Sequence, residues 1–311
     1  MKIVSLLPSA TEIVYALGLG ESLVGVTDEC DYPPEAVTKP VVSRSALPQG
    51  RPLSAREIDR AVRERVGGGN GEALYVLDKD LLRREQPDVV LTQDLCRVCA
   101  VPSGQVNEAL DELGLPDAKV LSLDPHTLDE VYASIEVAGK ALGRAEEAMR
   151  ITSTLRARVA RVKEIAMRVP TIRVFALEWS DPPFVGGHWV PEMVEAVGAV
   201  NLLNEKGQPS REVAWHAVAE QNPEVIVFMP CGYYLEEAEE EGQRLFDLPY
   251  FAETPAARNG NAFAVDATSY FSRPGPRLVD GLEILAWAAH PEAYPEPPPG
   301  TISRLGARRV R

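Results

Sequence analysis

The feature that most constrains this fold is a long helical stretch in the middle of the chain. From Thr127 to about Met167 no strand-like cluster occurs, and apolar residues recur at Val131, Ile135, Ala138 and Leu142, then at Ala145, Met149, Leu155, Val159 and Val162. Steps of three and four place these side chains on one helical face. Gly143 divides the stretch in two. The second helix, residues 144–167, is expected to run about 35 Å at about 1.5 Å per residue. Pro170 stops it, since proline lacks the amide proton a helix needs. A helix of that length can pass from one lobe of a protein to another.

On either side, short β-branched runs alternate with helical patterns. Before the long helix, strands are expected at residues 2–6, 23–27, 88–92 and 119–123, with helices at 9–17, 55–66, 78–85 and 105–113. Ser9, with Glu12 three residues on, reads as the N-cap of the first helix in a capping box. After the long helix, strands are expected at 172–177, 225–229 and 262–265, with helices at 191–197, 213–221, 235–246 and 276–289. Strands that alternate with helices pair in parallel through crossover connections. The expectation is therefore an α/β protein of two Rossmann-like lobes with central, mostly parallel sheets, joined by one backbone helix, with a ligand cleft between the lobes. The N-terminal lobe takes residues 1–126, the linking helices 127–168 and the C-terminal lobe 169–290. Residues 291–311 form a Pro-rich tail, extended and on the surface. A length of 311 residues suits two such lobes.

Charge excludes several functions. The net charge is −14, so phosphate backbones and anionic lipid surfaces are repelled, and nucleic acid is not an expected partner. The basic end, Arg304 to Arg311, reads as a solvated tail. No run approaches the roughly 18 apolar residues of a membrane span, so membrane insertion is not expected. Met1-Lys2 leads directly into Ile3–Leu7, too short for a signal-peptide core. That points to the cytoplasm, or, if a leader has been removed, to a periplasmic or lipoprotein-anchored protein.

Open α/β sheets bind ligands beyond the carboxyl ends of their strands. Pro8 and Ser9 follow the first strand, at a helix start whose free N–H groups suit an anionic or carbonyl group. Tyr32, Trp179, Phe184, Trp189, Tyr233, Tyr270 and Phe271 all follow strands, as does Arg273, although aromatics make up only 6% of the chain. Large amphipathic rings in such places suit a broad, partly polar small-molecule ligand.

Sulfur has a similar distribution. Cys30, Cys96, Cys99 and Cys231 all fall at strand ends, and Cys96 and Cys99 form a Cys-x-x-Cys pair. Four thiols match the ligand count of a structural zinc site, with His188 able to replace one. They equally suit small buried side chains, the usual role of a free cysteine. No Gly-x-Ser-x-Gly elbow, phosphate-binding Gly-rich loop or dinucleotide fingerprint is present, so no catalytic residue is assigned and an enzyme is not expected.

Four segments carry a family resemblance: residues 3–12 (IVSLLPSATE), Val24-Gly25-Val26-Thr27 with Cys30-Asp31-Tyr32-Pro33-Pro34, Pro87-Asp88-Val89-Val90, and residues 272–277 (SRPGPR). Together they resemble the cobalamin-binding proteins of ABC importers, within the helical-backbone group of periplasmic binding proteins that also includes siderophore and haem binders. The resemblance extends over about residues 1–290. It implies two lobes on a rigid helix, small hinge motion, and cobalamin or a related corrinoid held between aromatic residues. Tyr32 matches the corrinoid-stacking tyrosine of the family's Asp-Tyr-Pro-Pro motif, and Trp189 the aromatic after the Gly-rich turn of the second lobe. It also implies an ABC permease as partner if the chain is exported, docked through one acidic residue on each lobe.

Three features depart from the family pattern: the N-terminus without a leader, an insertion at about residues 43–77, and the cysteines. They leave open a cytosolic carrier, store or sensor, and, as a second reading, a soft-metal (zinc) thiolate protein or metal-dependent enzyme using the same cleft. A third reading is an ordinary importer binding protein whose leader was removed.

Overall fold

The computed structural model describes residues 1–46, 54–67, 74–95 and 100–306. By internal contacts the chain falls into two units. The first comprises Met1–Pro125 with Glu130–Thr152, and the second His126–Asp129 with Ser153–Arg311.

In the first unit the order is β1 (Ile3–Ser5), α1 (Pro8–Ala16), β2 (Leu23–Thr27), β3 (Val41–Ser45), α2 (Ala55–Gly67), β4 (Tyr75–Leu77), α3 (Lys79–Glu85), β5 (Val89–Thr92), α4 (Ser103–Glu112) and β6 (Lys119–Ser122). They form one six-stranded sheet in the order β4-β3-β2-β1-β5-β6. All neighbours are parallel except β3 and β4. Central strands covered on both faces need apolar side chains throughout, and Val89–Thr92 is buried at every position. Val4, Leu6, Val42 and Val90 pack with Leu81 and Leu82 of α3 and Val106 and Leu110 of α4 in one core cluster.

One expectation needs correction here. Ser9 is not an N-cap. The cap is Leu7, without a side-chain bond, Pro8 occupies the first turn, and Ser9 is buried inside α1. Proline fits that turn because its missing N–H has no intrahelical partner there. The segment read as an insertion, about residues 43–77, includes structure that belongs to the sheet. Ser43 and its neighbours lie in β3, and β4 extends the edge antiparallel to it.

The helical middle resolves into α5 (Leu128–Ala141) and α6 (Ala145–Ala166). The 22 residues of α6 span about 33 Å. Gly143, with φ +72°, makes the break, a backbone conformation that glycine adopts without strain. The chain passes from the first unit to the second within α6. The buried stripe of α6 is Ala148, Thr152, Leu155, Val159 and Val162, whereas Met149 is 54% exposed. Polar Thr152 takes the place expected of an apolar residue by donating from Oγ1 to Glu136 Oε1 at 2.7 Å.

The second unit continues with β7 (Ile172–Ser180), β8 (Pro183–Val185), α7 (Val190–Ala196), β9 (Ala199–Asn201), β10 (Arg211–Glu212), α8 (Trp215–Glu220), β11 (Val225–Phe228), α9 (Leu235–Arg244), α10 (Pro249–Ala252), α11 (Pro255–Arg258), β12 (Ala262–Val265), α12 (Ala267–Tyr270), α13 (Leu278–Ala289) and β13 (Ile302–Arg304). Its sheet runs β10-β8-β7-β11-β12-β13, with β9 also paired to β7. The centre, β7-β11-β12, is parallel, and β8, β10 and β13 are antiparallel additions. One sheet face gives Phe175, Leu177, Ile226, Phe228, Ala262 and Ala264 to a single core cluster.

The Pro-rich part of the tail is mostly exposed, as expected, but both its ends are tied down. Tyr294 is buried and donates its hydroxyl to Val162 O at 2.9 Å, and β13 pairs with β12. Arg304, expected in a solvated tail, lies over the Phe263 ring at 4.9 Å, and residues 307–311 are outside the described residues. No helix among the described residues is long and apolar enough to cross a membrane.

Candidate functional site

At the carboxyl end of β1 the chain turns directly into α1, and a buried polar relay lies beneath that turn. Thr11 Oγ1 donates to Ser5 Oγ at 2.8 Å and lies 3.0 Å from Cys30 Sγ, while Ser5 Oγ donates to Leu7 O at 3.0 Å. Buried hydroxyls need such partners. Ser9 is buried, Pro8 is half-buried, and Cys30 is 4% exposed. Two residues beyond Cys30, Tyr32 is 43% exposed and presents a ring at the end of β2.

The loops after β5 and β6 are joined by two carboxylates that the sequence reading did not single out. Asp94 accepts from the Ser103 N–H (2.8 Å), the Ser103 hydroxyl (2.6 Å) and the Ser122 hydroxyl (3.1 Å). Asp124 accepts from the N–H groups of Asp94 and Leu95. Acidic residues directly after β5 and β6 were the only sign of this in the sequence. Cys96 and Cys99 lie outside the described residues.

In the second unit an aromatic group gathers at the end of β7. Trp179 is cross-strand neighbour to Phe184 of β8, and its ring meets Tyr233 edge-on, with centroids 5.5 Å apart. All three are half-buried, so each keeps part of its ring accessible. Burial pushes the Tyr233 hydroxyl up to about 12, with Glu241 adding to the effect, so it stays a neutral donor at physiological pH.

Beside this group lies a clamped turn. Glu178 accepts from the Ser210 hydroxyl at 2.8 and 2.7 Å and from the Gly187 N–H at 3.3 Å. His188, at φ +53°, donates its N–H to Gln208 O at 2.6 Å and accepts from the Gly207 N–H at 2.8 Å. A left-handed histidine persists only where its surroundings hold it. Its ring lies 5.6 Å from that of His126. Burial first, and then His126, hold its pKa below the usual histidine value.

Trp189 and Phe271 are less accessible than expected of ligand-stacking rings. Trp189 is buried and donates its indole N–H to Phe271 O at 2.9 Å, and Phe271 is 2% exposed. In this unit they form a shelf behind the turn, and Arg273 is buried as well. Cys231 is exposed at the end of β11. Among the described residues, no group of three or more His, Cys, Asp or Glu side chains is placed to hold a metal. Cys30 is engaged with Thr11 and Cys231 is solvent-facing, so the zinc reading has no support among them.

Glu178 carries a pH-dependent prediction. Burial raises its carboxyl pKa, against the lowering effect of the Ser210 and Gly187 hydrogen bonds. The folded chain then binds a proton more tightly than the unfolded chain. Its contribution to stability therefore falls as pH rises from about 4.5 through the raised folded value. In Glu178→Gln, the melting temperature is expected to change less between about pH 5 and pH 8 than in the parent. Equal pH slopes in calorimetry would contradict this account of the clamp.

Two α/β units, each built on a sheet whose central strands are parallel, with candidate residues near the strand ends, fit the class of two-domain solute-binding proteins. The family model "Periplasmic binding protein" matches residues 3–268, and the chain belongs to that family. Among curated relatives, it is 26% identical over 285 residues to the vitamin B12-binding protein of Vibrio cholerae serotype O1, covering 91% of this chain and 86% of that one. It is 27% identical over 304 residues to the uncharacterised ABC transporter substrate-binding lipoprotein YvrC of Bacillus subtilis, covering 95% and 82%. Two solved structures share the fold. The periplasmic haem-binding protein of Pseudomonas aeruginosa has a TM-score of 0.70 at 22% identity, covering 99% of this chain and 98% of its own. The vitamin B12-binding protein BtuF of Vibrio cholerae has 0.64 at 24%, covering 93% and 96%. Membership of this family gives no support to the cytosolic location expected from the N-terminus.

Proposed function

We propose that this chain is a solute-binding protein for cobalamin or a related corrinoid or tetrapyrrole, and that it hands its ligand to an ABC permease without chemical turnover. The observation that carries this reading is the half-buried Trp179–Phe184–Tyr233 group at the end of β7. Flat macrocycles bind through wide, weakly directional contact, and clustered rings supply that area. The relatives named for vitamin B12 and the substrate-binding lipoprotein support the ligand class and the permease. In the first unit, Tyr32 presents an exposed ring as a further candidate contact. Trp189, next to His188, and Phe271 are held together by the indole hydrogen bond and serve as packing.

The test is calorimetric titration of aquocobalamin into the parent chain and into Trp179→Ala. Losing one face of the ring group should weaken binding by about tenfold, near the 1.4 kcal/mol scale of an aromatic contact. Unchanged affinity in the variant would remove this group from the site.

A further inference from the structure

The second unit contains a cavity apart from the Trp179–Phe184–Tyr233 group; of the rings picked out in the sequence, Tyr270 lines it. It has a volume of about 440 Å³, within the range of pockets that hold small organic molecules. The walls come from four places: α6, the end of α12, α13 and the Pro-rich segment that follows α13. Val162, Ile165 and Ile284 make the floor apolar, and Tyr270 and Tyr294 bring two aromatic rings.

The walls are also built. The Tyr294 hydroxyl is bonded to Val162 O, which holds the start of the tail against α6. Thr301 accepts from the Asp266 N–H at 3.0 Å, which holds its far end. The segment between contains Pro295, Pro297 and Pro298, whose restricted backbone keeps the wall extended. Arg158 ties α6 to α13, donating to Asp280 and to both carboxylate oxygens of Glu283.

Charge selects among possible ligands. Five charged side chains line the cavity: Arg158, Arg161, Asp280, Glu283 and Glu296. Arg158 is shared between two carboxylates, so that cluster retains an excess of one negative charge. Glu296 is exposed and balances Arg161, which leaves the lining acidic overall. Arg277 already lies over the Tyr270 ring, 5.6 Å from its centroid, so it is the Tyr294 ring and the surplus carboxylate, beside the apolar side chains, that have the chemistry to recognise an organic cation. The whole chain, at −14, draws cations in the same sense.

We propose that this cavity, walled by α6, α13 and the Pro295–Pro298 segment, is a second binding site that takes a small amphipathic organic cation, an amine or quaternary ammonium on an apolar body. The site is separate from the aromatic group at the end of β7, so it stands or falls independently of the corrinoid reading.

The test uses benzyltriethylammonium, with phenylacetate as the anionic and benzyl alcohol as the neutral comparison, followed by ligand-observed NMR and calorimetry on the full chain. Saturable binding of the cation, with weaker binding of both comparison compounds, is expected. Ile284→Trp, which fills the floor, should abolish it. Glu296→Gln alters an exposed side chain without touching the core, and should weaken binding a few-fold while leaving the melting temperature unchanged. The proposal is overturned by absence of saturable cation binding up to about 10 mM, by equal binding of phenylacetate, or by cation affinity that both variants leave intact.

Discussion

Gly187→Ala is expected to destabilise the chain by about 3 kcal/mol, the upper part of the range for overpacking a closed site. A Cβ on Gly187 would lie 2.2 Å from Ser210 N, 2.5 Å from Pro209 C and 2.7 Å from Gln208 O. All three are backbone atoms, so no side chain can rotate away to make room. The facing segment has little freedom to retreat. Asn204 Nδ2 holds both Gly186 O and Pro209 O, His188 and Gly207–Gln208 exchange backbone hydrogen bonds, and Ser210 is held by Glu178. Relief would require breaking several of these bonds together. Because Glu178 is followed by Trp179, the same change should also disturb the aromatic group and weaken ligand binding. Chemical denaturation of parent and variant measures the first effect. A loss below about 0.5 kcal/mol, typical of an unconstrained surface change, would mean that the turn is not clamped.

Phe175→Ala should cost about 3–5 kcal/mol, since removing a buried phenylalanine loses transfer free energy and leaves a cavity that surrounding atoms refill only in part. Phe175 is fully buried within β7 and held in register by β11, which pairs Ile226 opposite it, while Leu177 and Phe228 belong to the same core cluster. Collapse around the gap would require the parallel sheet to bend, and its hydrogen-bond ladder resists that. The expected signature in denaturant is a lower midpoint with an unchanged slope. A cost under about 1 kcal/mol would place the core of this unit elsewhere.

Much of this architecture was legible in the chain because its signals are strong and local. The i, i+3, i+4 spacing through α5 and α6, with a single glycine between them, locates the two helices almost to the residue. Runs such as Val89–Leu91 and Val225–Phe228 are apolar at consecutive positions, as central parallel strands tend to be. What remained hidden was governed by partners distant in sequence. Val41–Ser45 has mixed polarity and is made a strand by its place between β2 and β4, and the three-residue Tyr75–Leu77 is the edge strand that β3 recruits. The same holds for Ile302–Arg304, which β12 recruits from beyond the prolines. Residues around Pro183 read as a loop because two prolines interrupt them, yet the hairpin forms with Pro183 at the strand start, where the missing N–H does least harm.

The candidate site was legible to a lesser degree. Aromatic enrichment after strands identified Trp179, Phe184 and Tyr233, which the structure brings together. The same signal also selected Trp189 and Phe271, since a ring that packs under a turn and a ring that faces a ligand have the same composition. Only burial and the indole hydrogen bond separate the two roles. Glu178 and Asp94 escaped attention because a carboxylate that organises a loop has no characteristic spacing. Its partners, Ser210 and Ser122, lie 32 and 28 residues away.

The most direct test of the central claim is an absorption titration of the purified chain with cyanocobalamin and, separately, with haemin. A saturable, one-to-one spectral change with at least one of them, at micromolar concentration or below, is the predicted result. Absence of saturable binding to either macrocycle up to about millimolar concentration would contradict the claim and leave the aromatic group at the end of β7 as packing alone.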